Sequence, residues 1–327
     1  MKQPILSVRN LKTYFTGREA DVRAVDGVDI DIEAGQIVCV VGESGSGKSM
    51  TSLSIMGLVP KPKGKIVDGN VWFNGTDLLK LTERQMSGVR GKDISMIFQE
   101  PMTSLNPVLT IGDQLAEVLL RHQDVRKKDA LSKAVDMLRF VGVPRAAEVV
   151  REYPHQLSGG MRQRVMIAMA MICEPKVLIA DEPTTALDVT IQAQVLELMR
   201  RMRDEFGTGI LMITHDLGIV AEMADQVVVM YAGQVVESSS GDAIFDKPLH
   251  PYTRALLASI PSLEQEKENL YSIPGTVPDA AHFPNGCRFA DRCEHVLPSC
   301  KQSMPLLREL EEGHWVRCDL VQGGERR

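Results

Sequence analysis

Residues Gly42 to Ser49 read GESGSGKS, a fit to the spacing G-x-x-x-x-G-K-[ST]. Glycines at this spacing let consecutive backbone N–H groups turn into one concavity, which binds phosphate oxygens. A helix starting at the end of the loop adds the partial positive charge of its N-terminus. Gly42, Ser44, Gly45 and Gly47 are then the cradle, Lys48 reaches the β- and γ-phosphates, and Ser49 ligates Mg²⁺. A glycine-rich turn with a chance lysine is the bland alternative, and the flanks argue against it. A second stretch, VLIADEP, ends in two adjacent carboxylates, Asp181 and Glu182. Neighbouring acids repel unless each has its own task. Asp181 suits the Mg²⁺ ion through its water shell, and Glu182 suits a base that orients and polarises an attacking water. A third stretch, LSGGMRQR, sets Ser158, Gly159 and Gly160 at the mouth of the apolar run VMIAMAMIC.

These residues need elements to hold them. GQIVCVVG before the loop, KVLIADEP, GILMIT and QVVVMY are short, nearly continuous apolar runs. Such runs suit parallel strands covered on both faces. MTSLSIMGL after the loop, residues 128–141 and residues 190–204 have helical spacing, and AVDGVDIDIEAG alternates as an antiparallel strand does. The reading is an α/β core with a mainly helical insertion near residues 101–160. From about residue 240 prolines become frequent and periodicity fades, which marks a loop-rich appendage over 241–327. Two acids at the end of a buried strand therefore lie at the carboxyl edge of the sheet, where α/β proteins bind ligands.

Composition excludes several classes. A net charge of -6, with no long Lys/Arg run, gives no reason to expect nucleic-acid binding. MKQPILSVRN lacks an apolar signal region, and no run approaches the roughly 18 apolar residues of a membrane span. A cytoplasmic protein is expected. Cys39 and Cys173 sit in apolar surroundings and read as buried small hydrophobes.

GESGSGKS, LSGGM and VLIADEP, in this order, resemble the ATP-binding cassette of ABC transporters over about residues 4–240. The resemblance implies a P-loop ATPase: a RecA-like core with an antiparallel β subdomain and a helical subdomain. It implies further roles. Gln99 in MIFQEP matches the glutamine that senses Mg²⁺ and the attacking water, beside the contact with the membrane subunit. Asp188 in TTALD matches the D-loop aspartate, and His215 in LMITHD the switch histidine at the γ-phosphate. An aromatic of LKTYF stacks on adenine, Phe15 by spacing, with Tyr14 as the fallback. Ser158, Gly159 and Gly160 would complete the site of a second cassette laid head-to-tail, so that ATP joins the two. Met161 stands where many members have Gln, and Thr185 where Ser is common; neither removes a phosphate contact. A chromosome-maintenance ATPase would need long heptad arms between the loop and the signature, and residues 101–160 are too few. A translation-type ABC protein would usually carry two cassettes.

HPYTRALLASIP, IPGTVPD, PNGCRFADRC and GHWVRC resemble the C-terminal extension of the peptide and nickel importer ATPases, and FQEPMTSLNP is typical of that branch. This implies a heterodimer with a sister ATPase, two transmembrane permeases and an extracytoplasmic binding protein, with the chain peripheral on the cytoplasmic face of the membrane. Peptide is the expected cargo, with nickel or an oligosaccharide as alternatives. Cys287, Cys293, Cys300 and Cys318 follow C-x₅-C-x₆-C-x₁₇-C in this segment. A cytoplasmic setting disfavours disulfides, and structural zinc sites usually show a short C-x₂₋₄-C knuckle. The wider spacing is compatible with a four-cysteine iron–sulfur cluster, and the branch resembled carries a [4Fe–4S] cluster here. Zinc and free thiols remain alternatives. His295 and His314, nearby, read as solvated or structural.

Overall fold

The computed structural model describes residues 3–17, 19–99, 105–185, 188–260 and 272–322. Parts of FQEPMTSLNP (100–104), of TTALD (186–187) and the last proline of HPYTRALLASIP lie outside the described residues. The strands are β1 (Leu6–Phe15), β2 (Val22–Ile32), β3 (Ile37–Val41), β4 (Gly64–Phe73), β5 (Thr76–Asp77) and β6 (Ile94–Ile97), then β7 (Val177–Asp181), β8 (Gly209–Ile213), β9 (Gln226–Tyr231), β10 (Gln234–Ser240), β11 (Arg308–Glu311) and β12 (His314–Val316). Among the helices are α1 (Lys48–Ile55), α2 (Ile111–His122), α3 (Lys127–Phe140), α4 (Gly159–Met171), α5 (Val189–Phe206), α6 (Leu217–Met223) and α7 (Pro251–Ala258).

The chain divides into two compact units. One comprises Met1–Ile5, Ile32–Gln36 and Lys80–Met212, and the other Leu6–Asp31, Ile37–Leu79 and Ile213–Arg327. Residues 241–327 fall in the same unit as the segments around the phosphate loop.

In the first unit β8, β7 and β6 are neighbours in that order, and β6 pairs with β7 in parallel from Ile94↔Val177 to Ile97↔Ala180. Every residue of β7 and β8 is buried. Burying a Val, Leu or Ile side chain contributes about 1.5–3 kcal/mol, which explains why the alternation of a half-exposed strand is missing. The expected helical insertion is present as α2 and α3. Thr110 starts α2 by accepting from the Asp113 N–H at 3.2 Å. Leu115 and Leu119 of α2, and Ala130, Ala134 and Leu138 of α3, form the buried faces of these two amphipathic helices.

In the second unit β2, β1, β4 and β5 form a four-stranded sheet, with β1 antiparallel to β4 from Leu6↔Phe73 to Phe15↔Gly64. A separate run of strands follows the order β11-β12-β10-β9-β3. Here β3 is parallel to β9, and β9, β10, β12 and β11 are successively antiparallel. The C-terminal hairpin β11–β12 thus extends the sheet that carries the phosphate loop. Its inner side rests on Glu237, fully buried, whose carboxylate accepts from the Leu249 N–H (2.7 Å), the His250 N–H (2.9 Å) and His314 Nε2 (2.8 Å). Burial pushes the Glu237 carboxyl up, but the His314 ring and the backbone donors outweigh it and leave the pKa below the ordinary value. His314 is buried and structural, whereas His295 is exposed. Cys39 is fully buried as expected; Cys173 is half-exposed at the end of α4 and does not belong to the core. Among the described residues, no helix is long and apolar enough to cross a membrane.

Candidate functional site

The phosphate loop leaves β3 at Val41 and turns at Gly42, whose φ is 148°. A Cβ there would lie 2.1 Å from the Met230 carbonyl oxygen, and one on Gly47, at φ 98°, would lie 2.3 Å from that of Ala24. Both turns therefore require glycine. The loop closes through the Ser46 N–H to Glu43 O (3.2 Å), and Gly47 caps α1. Lys48 is buried and arches beneath the loop, donating from Nζ to the carbonyls of Gly42 (2.7 Å) and Glu43 (2.9 Å). Ser44 and Gly45 are exposed on the loop, and Ser49, in the first turn of α1, is half-buried.

Two more expected residues belong to this unit. Thr13 of β1 lies 2.7 Å from Ser54 of α1, hydroxyl to hydroxyl, and the strand's alternation puts Phe15 on that same face. Tyr14 points the other way and donates to Asp26 Oδ1 at 2.6 Å. Burial and the Asp26 bond push its phenol up to about 12. Tyr14 is thus committed to the fold through Asp26, while Phe15 makes no such bond to Asp26 and lies on the face of β1 that carries Thr13. His215 is exposed just beyond β8. Its neighbour Thr214 donates its N–H to Val40 O in β3 at 3.2 Å, and Asp216 caps α6 through the N–H groups of Gly218 and Ile219.

The acids and the signature belong to the other unit. Asp181 closes β7 and is 5% exposed. Glu182 follows with φ 48°, a left-handed conformation uncommon for a residue with a side chain. Its Oε2 accepts from Gln99 Nε2 (2.9 Å) and from the Thr185 hydroxyl (2.8 Å). These two donors set the orientation of the Glu182 carboxylate. Ser158 caps α4 by accepting from the Met161 N–H at 3.3 Å. Gly159 is exposed, and a Cβ on it would meet nothing within 4 Å among the described residues. A Cβ on Gly160 would lie 3.3 Å from Ile191 Cδ1 in α5, the helix capped by Asp188, whose Oδ1 accepts from the Ile191 N–H at 2.9 Å. Gln163, 2% exposed, donates from α4 to Pro183 O at 2.6 Å and so joins the signature helix to the turn after Glu182. Sequence reasoning passed over Gln163 and noted Thr185 only as standing where Ser is common, without its bond to Glu182. Gln163 lies in the polar stretch RQR just before the apolar run VMIAMAM, where no local signal sets it apart from the arginines beside it.

All six cysteines are free thiols. Cys287 donates its N–H to Cys300 O at 2.7 Å, and burial pushes the Cys287 and Cys318 thiols up to about 11, with the neighbouring cysteines adding to the rise. The four lie close enough to feel one another's charge. They do not converge further: among the described residues, no group of three or more His, Cys, Asp or Glu is arranged to hold a metal ion. The expected cluster ligands are neighbours in this structure and not a formed metal centre.

The fold and these motifs define an ATP-binding cassette: the ABC transporter family matches residues 25–185, and the C-terminal region of the oligopeptide/dipeptide transporters matches residues 236–300. The chain is 56% identical to the oligopeptide transport ATP-binding protein AppD of Bacillus subtilis, over 97% of each chain, and 51% identical to the dipeptide transport ATP-binding protein DppD of the same organism, over 97% of this chain and 94% of the other. A dimeric, post-hydrolysis structure of the ATP-binding cassette MJ0796 bound to ADP and Pi superposes with a TM-score of 0.65 at 25% identity, covering 72% of this chain and 98% of that one. The chain belongs to the ATP-binding subunits of the peptide ABC transporters.

Proposed function

We propose that the chain binds and hydrolyses ATP to power import of di- or oligopeptides. The observation that carries this reading is the phosphate loop, with two glycines where no other residue fits, together with a carboxylate at Glu182 held by Gln99 and Thr185. Gly42, Ser44, Gly45, Gly47 and Lys48 grip the phosphates, Phe15 stacks on the adenine, and Ser49, Gln99 and Asp181 serve Mg²⁺. Glu182 orients and deprotonates the water, and His215 contacts the γ-phosphate. Ser158, Gly159, Gly160 and Asp188, all exposed or half-exposed, face a second cassette. ATP held between the two joins them, and its hydrolysis removes the phosphate both sides grip, a two-state element biased by its ligand. The partners are a sister ATPase, two permeases and an extracytoplasmic binding protein, with the chain peripheral at the cytoplasmic face of the membrane. The boundaries 1–240 for the cassette and 241–327 for the extension belong to the same proposal.

Uptake of labelled dipeptides in a deletion strain tests it. The intact gene restores uptake, and a Lys48→Ala version does not. Restored nickel uptake with no peptide uptake would reassign the cargo. The four extension cysteines are a separate matter: a [4Fe–4S] cluster, with zinc as the alternative, is supported by four neighbouring free thiols. Iron, sulfide and zinc contents of anaerobically purified protein decide it, and a metal-free preparation rules out both.

A further inference from the structure

A carboxylate is an odd residue to find inside a phosphate-binding loop. Glu43 is the second residue of GESGSGKS, and an unpaired negative charge there opposes the phosphates the loop holds. The structure answers it with Arg292, 249 positions away in the sequence. Its guanidinium is bidentate on Glu43, Nη1 to Oε2 at 2.6 Å and Nη2 to Oε1 at 3.0 Å. The Arg292 side chain is 5% exposed, and its remaining donors go to Pro274 O (2.8 Å), Ile273 O (3.3 Å) and the Tyr231 hydroxyl (3.2 Å). A fork held at every N–H has little freedom left to lose, which suits it for fixing a carboxylate.

The main chain of Glu43 is held as well. Its N–H donates to the hydroxyl of Tyr252 at 2.8 Å, and Tyr252 is itself fully buried against Tyr231 and Phe289. The far shoulder of the loop is tied by the same segment of the extension. Arg288 donates to Ala232 O at 2.5 Å and pairs with Asp26, while the next residue, Gly233, donates its N–H to Ser46 O at 2.9 Å.

We propose that Arg292 and Tyr252 are positioning residues for nucleotide binding: they fix the first turn of the phosphate loop, and Arg292 cancels the charge of Glu43. This rests on the ATP-binding reading. The test measures the Mg·ATP dissociation constant, KM and kcat of the full chain for Arg292→Ala, Glu43→Gln and the double variant. Arg292→Ala raises the dissociation constant and KM by about fivefold or more, the lower end of ordinary coupling between sites, and leaves kcat at saturation nearly unchanged. Adding Glu43→Gln removes the uncancelled charge and restores most of the affinity. A merely structural ion pair gives no such rescue. Wild-type affinity in Arg292→Ala, or a double variant as weak as Arg292→Ala, overturns the proposal. If Arg292→Ala does not fold, Arg292→Gln carries the same expectation and the same refutation. Lys48→Ala separates the two readings: it must lose ATP affinity, and if it does not, the ATP-binding assignment fails instead.

Discussion

The phosphate loop and the turn at Glu182 are built in opposite ways. Around the loop the backbone does the work. Met230 and Ala24 press against its glycines, Gly233 holds Ser46, and Tyr252 and Arg292 hold Glu43. At Glu182 the working group is a side chain, half-exposed, on a left-handed residue, held by bonds from Gln99 and Thr185 that are themselves exposed. A grip on phosphate acts in every state of the cycle and gains from being rigid before the ligand arrives. The base proposed at Glu182 has to act at one moment, and exposed bonds open cheaply. The loop should therefore respond to substitution through affinity and stability, and the turn through rate.

The sharpest way to break this contrast is Glu182→Gln. It keeps the shape and the Gln99 contact and removes the base, so turnover should fall by about 10²–10⁴-fold with ATP affinity intact. Single-turnover hydrolysis beside equilibrium nucleotide binding checks it. A loss of binding equal to the loss of rate would show that the two regions are not separable.

A second difference lies in what titrates. His250 caps α7, the helix that presents Tyr252 to the loop, and its Nδ1 accepts from the Tyr252 N–H at 3.0 Å. Burial lowers its pKa to about 4, against the pull of Glu237. The unfolded chain takes up a proton near pH 6.5 and the folded chain does not until about pH 4, so the unfolded state binds more protons in that window. Stability falls as pH is lowered through the window, by about 3 kcal/mol in all. His250→Asn keeps a cap acceptor with no proton to gain. Unfolding free energies across pH 4–7 should slope in the wild type and flatten in this variant, and parallel slopes would remove His250 as the cause.

The sheet and the motif ends were legible in the sequence because local pattern determines them. β9 falls on QVVVMY to the residue, and α3 and α5 lie within two residues of their expected ends. GESGSGKS and VLIADEP carried their own chemistry. The grip on Glu43 was not legible, since no local signal in CRFADRC connects it with a loop 249 positions earlier. The strands of the proline-rich C-terminus were not legible because they are short, and Arg308–Glu311 is exposed throughout. Its role as an extension of the nucleotide sheet depends on pairing with β10, which no periodicity encodes.

Glycine substitutions sharpen the comparison further. Gly47→Ala forces a Cβ against the Ala24 carbonyl at positive φ and should destabilise the chain by about 1–3 kcal/mol. Among the described residues a Cβ on Gly159 meets nothing within 4 Å, so Gly159→Ala should leave the melting temperature unchanged. If it still lowers ATPase activity in the assembled complex, the lost contact belongs to a partner. A thermal shift in Gly159→Ala as large as in Gly47→Ala would contradict the difference in packing.

The smallest expected effect distinguishes two adjacent aromatics. Phe15 shares a face of β1 with Thr13, which touches α1, while Tyr14 is bound to Asp26 on the other face. Removing a stacking ring costs about 0.5–1.5 kcal/mol beyond its area. Phe15→Ala should therefore weaken ATP binding by a few-fold, and Phe15→Tyr should restore it, because either ring can stack. Tyr14→Phe removes only the phenol and its bond to Asp26, so it should lower stability slightly and leave nucleotide affinity alone. Triphosphate alone supplies the control: a stacking role predicts that Phe15→Ala weakens ATP and not tripolyphosphate. If both ligands weaken together, Phe15 acts through the seating of α1, and the base is read by another group.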